Sequence, residues 1–456
     1  VLLATVLGSG MAGLDATVVN IALPRIGKDL GTGLTGLQWT VNAYTLTLAG
    51  FLLLGGSLGD RSGRRRVFVI GVVWFATASA LCALAPNGGA LIGARALQGV
   101  GGALLTPGSL AIIEASFRPE DRSPAIGAWS GLGGVAMAIG PFLGGWLVEA
   151  VSWRLIFLIN VPLAAVVVWV AVRHVPESRD PNATGPLDLA GTALAALGLA
   201  GVVYALTEAG KGWGAPTVVV TGTGGVVALV AFVLRERATP NPLLPLEIFR
   251  SRQFTAANLV TFVVYAALGG SLFLLPIQLQ RVVGFSPLKA GTAVIPITIV
   301  MLLLSARAGR LAQRIGPRVP MSVGPIVAGV GLALLVRVSA GSGYVGDVLP
   351  AVLVFALGLS LTVAPLTATV LAAASEEHAG VASAVNNDVA RVAGLVAVAA
   401  LPILAGISTK TYADPAAFSD GFHRAVSITA TLCALGGVLA YATIRRPGPV
   451  ASREEP

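Results

Sequence analysis

Charge is scarce in this sequence. Asp, Glu, Lys and Arg make up only 11% of its 456 residues, against about 25% in an ordinary soluble domain. Too little polar surface exists to cover a water-facing globule of this length. Cysteine is nearly absent: Cys82 and Cys433 sit alone in separate apolar runs and suggest neither a disulfide framework nor a thiolate metal site. The three histidines, His174, His378 and His423, fall near the ends of apolar runs, where solvation is expected. No nucleophile–histidine–acid arrangement, metal cluster or P-loop lysine can be assembled, so no enzyme activity, cofactor or metal is expected and ATP is not the expected energy source. The net charge of +9 would suggest nucleic acid in a soluble protein; here it reads as arginine on cytoplasmic loops, with no nucleic-acid partner expected. No stretch resembles a cleavable signal peptide. Val1 already lies in an apolar run, so a longer natural chain is expected.

What is abundant is apolar sequence, 55% of residues, in repeated runs of membrane-spanning length. The expectation is an all-α polytopic membrane protein with 14 spans, near 1–24, 37–58, 67–86, 89–113, 123–149, 154–173, 187–207, 217–234, 253–280, 287–306, 320–338, 348–374, 379–406 and 424–444. A proline-rich stretch at 235–252 is the clearest internal linker. With both termini cytoplasmic, the inside loops and tail carry about twice as many Lys and Arg as the outside loops, which favours that orientation.

The most charged turn is "GGSLGDRSGRRRV", residues 55–67, after the second span. A second copy follows the tenth: "GSLGDRSGRR" and "GRLAQRIGPR" align Gly56 with Gly309, Leu58 with Leu311, Arg61 with Arg314, Gly63 with Gly316 and Arg65 with Arg318. Span 9 therefore repeats span 1. This predicts a first six-helix bundle over 1–173, two extra transmembrane helices with linkers over 174–252, a second six-helix bundle over 253–444 and a cytoplasmic tail over 445–456. Repeated halves around a shared central site are a recurrent transporter plan.

Further motifs stand at matching positions. "LDATVVNIALP" lies in span 1, "RALQGVGGALLTPGSLAII" in span 4, "AIGPFLGGWLVE" in span 5, and "WRLIFLINVP" and "AGVASAVNND" in later spans. Together with the charged loop they resemble the major facilitator superfamily, and specifically its fourteen-span drug:proton antiporter branch, over essentially the whole chain. The resemblance implies that Gly56, Asp60, Arg61, Gly63 and Arg64 belong to a loop that latches the two halves in an outward-facing state. Arginines that only fix topology are the alternative. In the second copy Gln313 replaces Asp60, so any latch there is weaker. The resemblance also makes Ala136, Gly140, Pro141, Gly144 and Gly145 an antiporter motif. By spacing, Ala136, Gly140 and Gly144 form a small-residue face and Pro141 favours a bend, which fits either a seal between halves or static packing.

Ionisable residues inside spans are functional candidates, because an uncompensated charge there is costly. Asp15 lies roughly 13 Å before Pro24 along a helix, and Arg95 roughly 9 Å into span 4. Those depths let them meet if their faces agree. An Asp that gains and loses an arginine partner between two states exchanges protons with the medium, so the pair is a candidate for proton coupling; a fixed structural pair is the alternative. Asp388 and Arg391, three apart on one face, either neutralise each other locally or serve cation or second-proton binding. Gln38, Trp39, Asn42, Tyr44 and Gln280 are candidates to line a substrate path or to pack helices.

The expected function is proton-coupled efflux of small, predominantly apolar drug-like or antibiotic molecules by alternating access, in the bacterial cytoplasmic membrane. The partners are then a small-molecule substrate, protons and the lipid bilayer. Two alternatives stay open: a dedicated exporter or importer of one endogenous metabolite, and a non-transporting receptor or scaffold.

Overall fold

A computed structural model describes residues 1–181, 183, 187–240, 242–373 and 379–444. Among them all regular structure is helical, and 14 helices are long and apolar enough to cross a membrane. The first six are α1 Leu2–Leu30, α2 Leu34–Ser62, α3 Arg64–Leu84, α4 Gly88–Ser116, α5 Glu120–Ala150 and α6 Leu155–His174. Two more follow, α7 Leu189–Lys211 and α8 Pro216–Ala238. The last six are α9 Arg252–Arg281, α10 Pro287–Ile315, α11 Arg318–Arg337, α12 Tyr344–Ala372, α13 Gly380–Leu404 and α14 Pro415–Thr443. His378 and the expected tail lie outside the described residues.

The expected spans coincide with these helices, and the differences lie at polar ends. Pro24 does not end α1, which continues to Leu30 and stops at Gly31 in a left-handed conformation. The start of α14 lies well before residue 424, because Asp414 accepts the Ala416 N–H at 3.0 Å and Pro415 fills the first turn. Asp420, His423 and Arg424 hid that turn from a hydropathy reading, yet Phe418 and Phe422 beside them are fully buried.

The helix pairings repeat with a shift of eight. In the first bundle α1 packs on α5 and α6, α2 on α4, and α3 on α4 and α6. In the second α9 packs on α13 and α14, α10 on α12, and α11 on α12 and α14. The charged turns repeat in detail. Gly63 and Gly316 both take positive φ, 112° and 85°, which side chains rarely tolerate. Arg65 Nη1 donates to Val175 O at 3.1 Å, just past the end of α6, and its counterpart Arg318 Nε donates to Tyr441 O at 2.7 Å in the last turn of α14. Equivalent arginines thus tie equivalent helix ends.

Helices α7 and α8 pack on each other, and α7 leans on both α2 and α13, covering the seam where the bundles meet. Trp39 of α2 donates to Glu208 Oε1 at 3.2 Å and packs on Tyr204, so α7 is held by a polar and an aromatic contact. At the other end of the hairpin Asp188 caps α7 through the Gly191 N–H and accepts from Arg235 Nε at 2.8 Å.

The bundles touch on the side of the α1–α2 turn, the turn side, opposite the N-terminus. Gln38 Nε2 donates to Val398 O at 2.8 Å, Gln280 Nε2 to Ile21 O at 2.8 Å, and the Leu288 N–H to Glu149 Oε2 at 2.9 Å. These three hydrogen bonds between bundles all lie on that side. Toward the terminal side Gly127, Gly131, Gly133 and Gly134 of α5 have open space where a Cβ would project, while Trp129 Nε1 still donates to Ser9 Oγ of α1 at 3.2 Å.

Candidate functional site

The most completely buried polar cluster lies inside the first bundle, where five helices converge. Asp15 comes from α1, Arg95 and Gln98 from α4, Ser79 from α3, Asn160 from α6, and the Thr40 carbonyl from α2. The side chain of Asp15 is 0% and that of Arg95 1% exposed, and Arg95 Nη1 donates to Asp15 Oδ2. The depths estimated from sequence were compatible, and the faces agree as well. Gln98 Nε2 donates to Asp15 Oδ1 at 2.8 Å and to Ser79 Oγ at 2.7 Å, while Gln98 Oε1 accepts from Arg95 Nη1 at 2.7 Å. Asn160 Nδ2 reaches Ser79 Oγ at 3.2 Å and Asp15 Oδ1 at 3.4 Å. Arg95 Nε donates to Thr40 O at 3.0 Å, and the guanidinium lies 4.3 Å from the Tyr44 ring centroid. A buried carboxylate and guanidinium are stable only when well hydrogen-bonded, and this cluster engages both Asp15 oxygens and the Nε and Nη1 donors of Arg95.

The five proposed path-lining residues divide. Gln38 and Gln280 bond across the bundles, Trp39 holds α7, and Tyr44 covers Arg95, so these four serve helix contacts. Asn42 differs: it is fully buried, and neither amide atom has a partner. Asn20 Oδ1, Asp388 Oδ1 and Arg391 Nε are likewise buried and unpartnered. These residues belong to α1, α2 and α13, helices of both bundles. A three-residue spacing brings the Cβ atoms of Asp388 and Arg391 near each other, and Arg391 is close enough to act electrostatically on Asp388, but among the described residues no hydrogen bond reaches Asp388 Oδ1 or Arg391 Nε.

In the charged turn Asp60 bonds Arg64, with Arg64 Nη2 to Asp60 Oδ1 at 2.8 Å, inside its own bundle. The first N–H groups of α3 are taken by Glu177, which accepts from Arg65 N at 3.0 Å and Arg66 N at 3.2 Å. Glu177, in the linker after α6, thus supplies the carboxylate at this helix N-terminus. In α5 the small-residue face packs within the first bundle: Ala136 faces Gly10, Gly140 meets Thr17 and Gly144 meets Val18 of α1. The contact with the second bundle is made one position away, where Gly145 lies against the Pro287 carbonyl and Pro141 against Gly291.

The description "Major Facilitator Superfamily" matches residues 5–399. The chain belongs to that superfamily. The puromycin resistance protein pur8 of Streptomyces alboniger is 37% identical over 444 residues, 94% of this chain and 88% of that protein. The tetracenomycin C resistance and export protein of Streptomyces glaucescens is 35% identical over 88% of this chain and 75% of its own. The multidrug efflux pump LfrA of Mycolicibacterium smegmatis is 34% identical over 85% and 77%. In fold, the chain is similar to a bacterial homologue of the human lysosomal transporter Spinster solved inward-facing and unoccupied, with TM-score 0.67 and 17% identity over 98% of each chain. This superfamily member is an integral membrane transporter, not an enzyme.

Residue-level reading of this facilitator missed Ser79, Gln98, Asn160, Asn20 and Glu177. Gln98 and Asn160 carried a usable signal, as amides within apolar spans, with Gln98 one turn from Arg95. Ser79 and Thr40 did not, because hydroxyl residues satisfy themselves on helix carbonyls throughout such spans.

Proposed function

We propose that this transporter exports small, predominantly apolar drug-like or antibiotic molecules in exchange for protons, alternating access between two bundles bounded near residues 173 and 253. The reading rests on resistance and efflux proteins among its relatives. The observation that carries proton coupling is the sealed Asp15–Arg95 pair. A carboxylate held by an arginine in one state and released in the other takes up a proton on release, because burial without the cation disfavours its charge. Arginine-rich loops favour cytoplasmic termini, so the bundles, in contact on the turn side, are closed toward the outside. Asp60 holds Arg64 inside its own bundle, and the resemblance makes this loop the part that latches the halves in the outward-facing state. Asn42, Asp388 and Arg391 supply unpaired polar groups for cargo or a second proton.

The test is transport by purified protein in vesicles, with a substrate panel and an imposed pH gradient. D15N keeps the size of the side chain and abolishes its titration. It should abolish gradient-driven export while sparing substrate exchange without net proton movement, at matched protein density. Gradient-driven export with unchanged proton stoichiometry would remove Asp15 from the coupling role. A second reading, one dedicated compound, is favoured by relatives each named for a single antibiotic; a response to one member of the panel alone would establish it.

A further inference from the structure

One cavity lies away from the bundle interface. It is an open groove of about 720 Å³ on the outer surface of the first bundle, between α3 and α6. Its wall is apolar, with Val73 and Ala80 on α3 and Val161, Ala165 and Trp169 on α6, and Arg173 stands at its terminal-side mouth. We propose that this groove binds one anionic phospholipid, with an acyl chain along the groove and the phosphate between Arg173 and Arg66.

Length supports the acyl chain. From Val161 to Arg173 the α6 wall runs roughly 18 Å at 1.5 Å per residue, against about 15 Å for one leaflet of a hydrocarbon core about 30 Å thick. The groove therefore spans one leaflet and opens at one interface. Trp169, 59% exposed, sits one turn inside that mouth, where aromatic rings favour the headgroup level.

Charge supports the headgroup. Arg66, Val73 and Ala80 are seven residues apart, so they share one face of α3, with Arg66 two turns outward of the groove wall. The two helix ends are joined, since Glu177, four residues past Arg173, accepts the Arg66 N–H at 3.2 Å. Both arginines are exposed, and neither forms an ion pair among the described residues. Two acids of this region are otherwise engaged: Asp60 by Arg64 at 2.8 Å, and Glu177 by Arg65 at 3.7 Å and by backbone N–H groups. Two unmatched cations at the mouth of a lipid-length groove favour a net negative headgroup over a zwitterionic one, whose own cation they repel.

Trp169 reports occupancy directly. The full chain is reconstituted in phosphatidylcholine containing a small fraction of phosphatidylglycerol or phosphatidylcholine with brominated acyl chains. The Trp169 signal is the difference between wild type and W169F. Brominated phosphatidylglycerol should quench it several-fold more strongly than brominated phosphatidylcholine. R66Q/R173Q should equalise the two lipids, and A165F, which fills the groove from an exposed position, should remove most quenching by either. Equal quenching in the wild type overturns headgroup selection, and preference that survives R66Q/R173Q overturns the arginine site. Quenching by neither lipid, with Trp169 shielded in a cross-linked dimer, gives the groove to a second copy of the chain and overturns the proposal.

Discussion

Gln98 holds the buried ion pair in register. It donates to Asp15 and Ser79 and accepts from Arg95, so one amide serves three helices. In Q98A the Oδ1 atom of Asp15 keeps only the 3.4 Å contact from Asn160. A buried acceptor stripped of its partner costs about 1–3 kcal/mol, and more when it is charged. Q98A should therefore lower the thermal unfolding midpoint in detergent, and Q98E should lower it further by placing a second carboxylate beside Asp15. Q98A unfolding like wild type would mean that water or a shifted Asn160 replaces the amide.

Among elements, α5 and the α7–α8 hairpin have opposite tasks. At Gly145 an added methyl would stand 2.6 Å from the Pro287 carbonyl oxygen and 2.8 Å from Leu288 Cα, both backbone and unable to yield easily. G145A should disfavour the arrangement closed on the turn side by about 1–3 kcal/mol, the usual scale of overpacking. Thiol labelling of a cysteine at position 409, on that side, should rise. Unchanged labelling would show that the α5–α10 contact does not govern closure. The hairpin is anchored by Asp188. Burial pushes its carboxyl upward, but the Gly191 N–H and the Arg235 guanidinium outweigh this and hold it below the usual carboxylate range. A depressed folded value means that the anchor contributes fully above the ordinary Asp pKa, about 3.9, and is lost as pH falls through the lower folded value. Hydrogen exchange across 189–238 should accelerate in that acid range. D188N should exchange faster at neutral pH and show no acid step.

At the scale of the whole molecule the bundles meet on the turn side, and alternating access requires that contact to break. A Cβ on Gly33 would lie 3.3 Å from Thr409 Cγ2 across the bundles, and Gly33 has φ −78°, open to any residue. The native cysteines, Cys82 and Cys433, are buried. Oxidised G33C/T409C should form a disulfide, lock this state and arrest transport, with reduction restoring it. Transport at the wild-type rate with the bridge intact would show that the turn side need not open.

The sequence by itself determined the spans and their repeat. Lipid demands long apolar helices with internally satisfied backbones, and such runs can be counted without knowing their neighbours. The matching turns at Gly63 and Gly316 revealed the two bundles, because a positive φ restricts what a turn can contain. Asp15 and Arg95 were legible as well, since charge inside an apolar run is conspicuous. Only the tertiary structure decided which polar residue touches which. Helical rotation placed Gln98 and Asn160 on Asp15 while leaving Asp388 Oδ1 and Arg391 Nε without a hydrogen bond, although the sequence spacing of the latter two residues invited a pair. It also sent the small face of α5 against α1 rather than across the bundles, and set α7 over the α2–α13 seam. Those outcomes depend on the direction in which each helix turns its faces, and a one-dimensional pattern of apolar and polar residues does not contain that direction when both lipid-facing and core-facing sides are apolar.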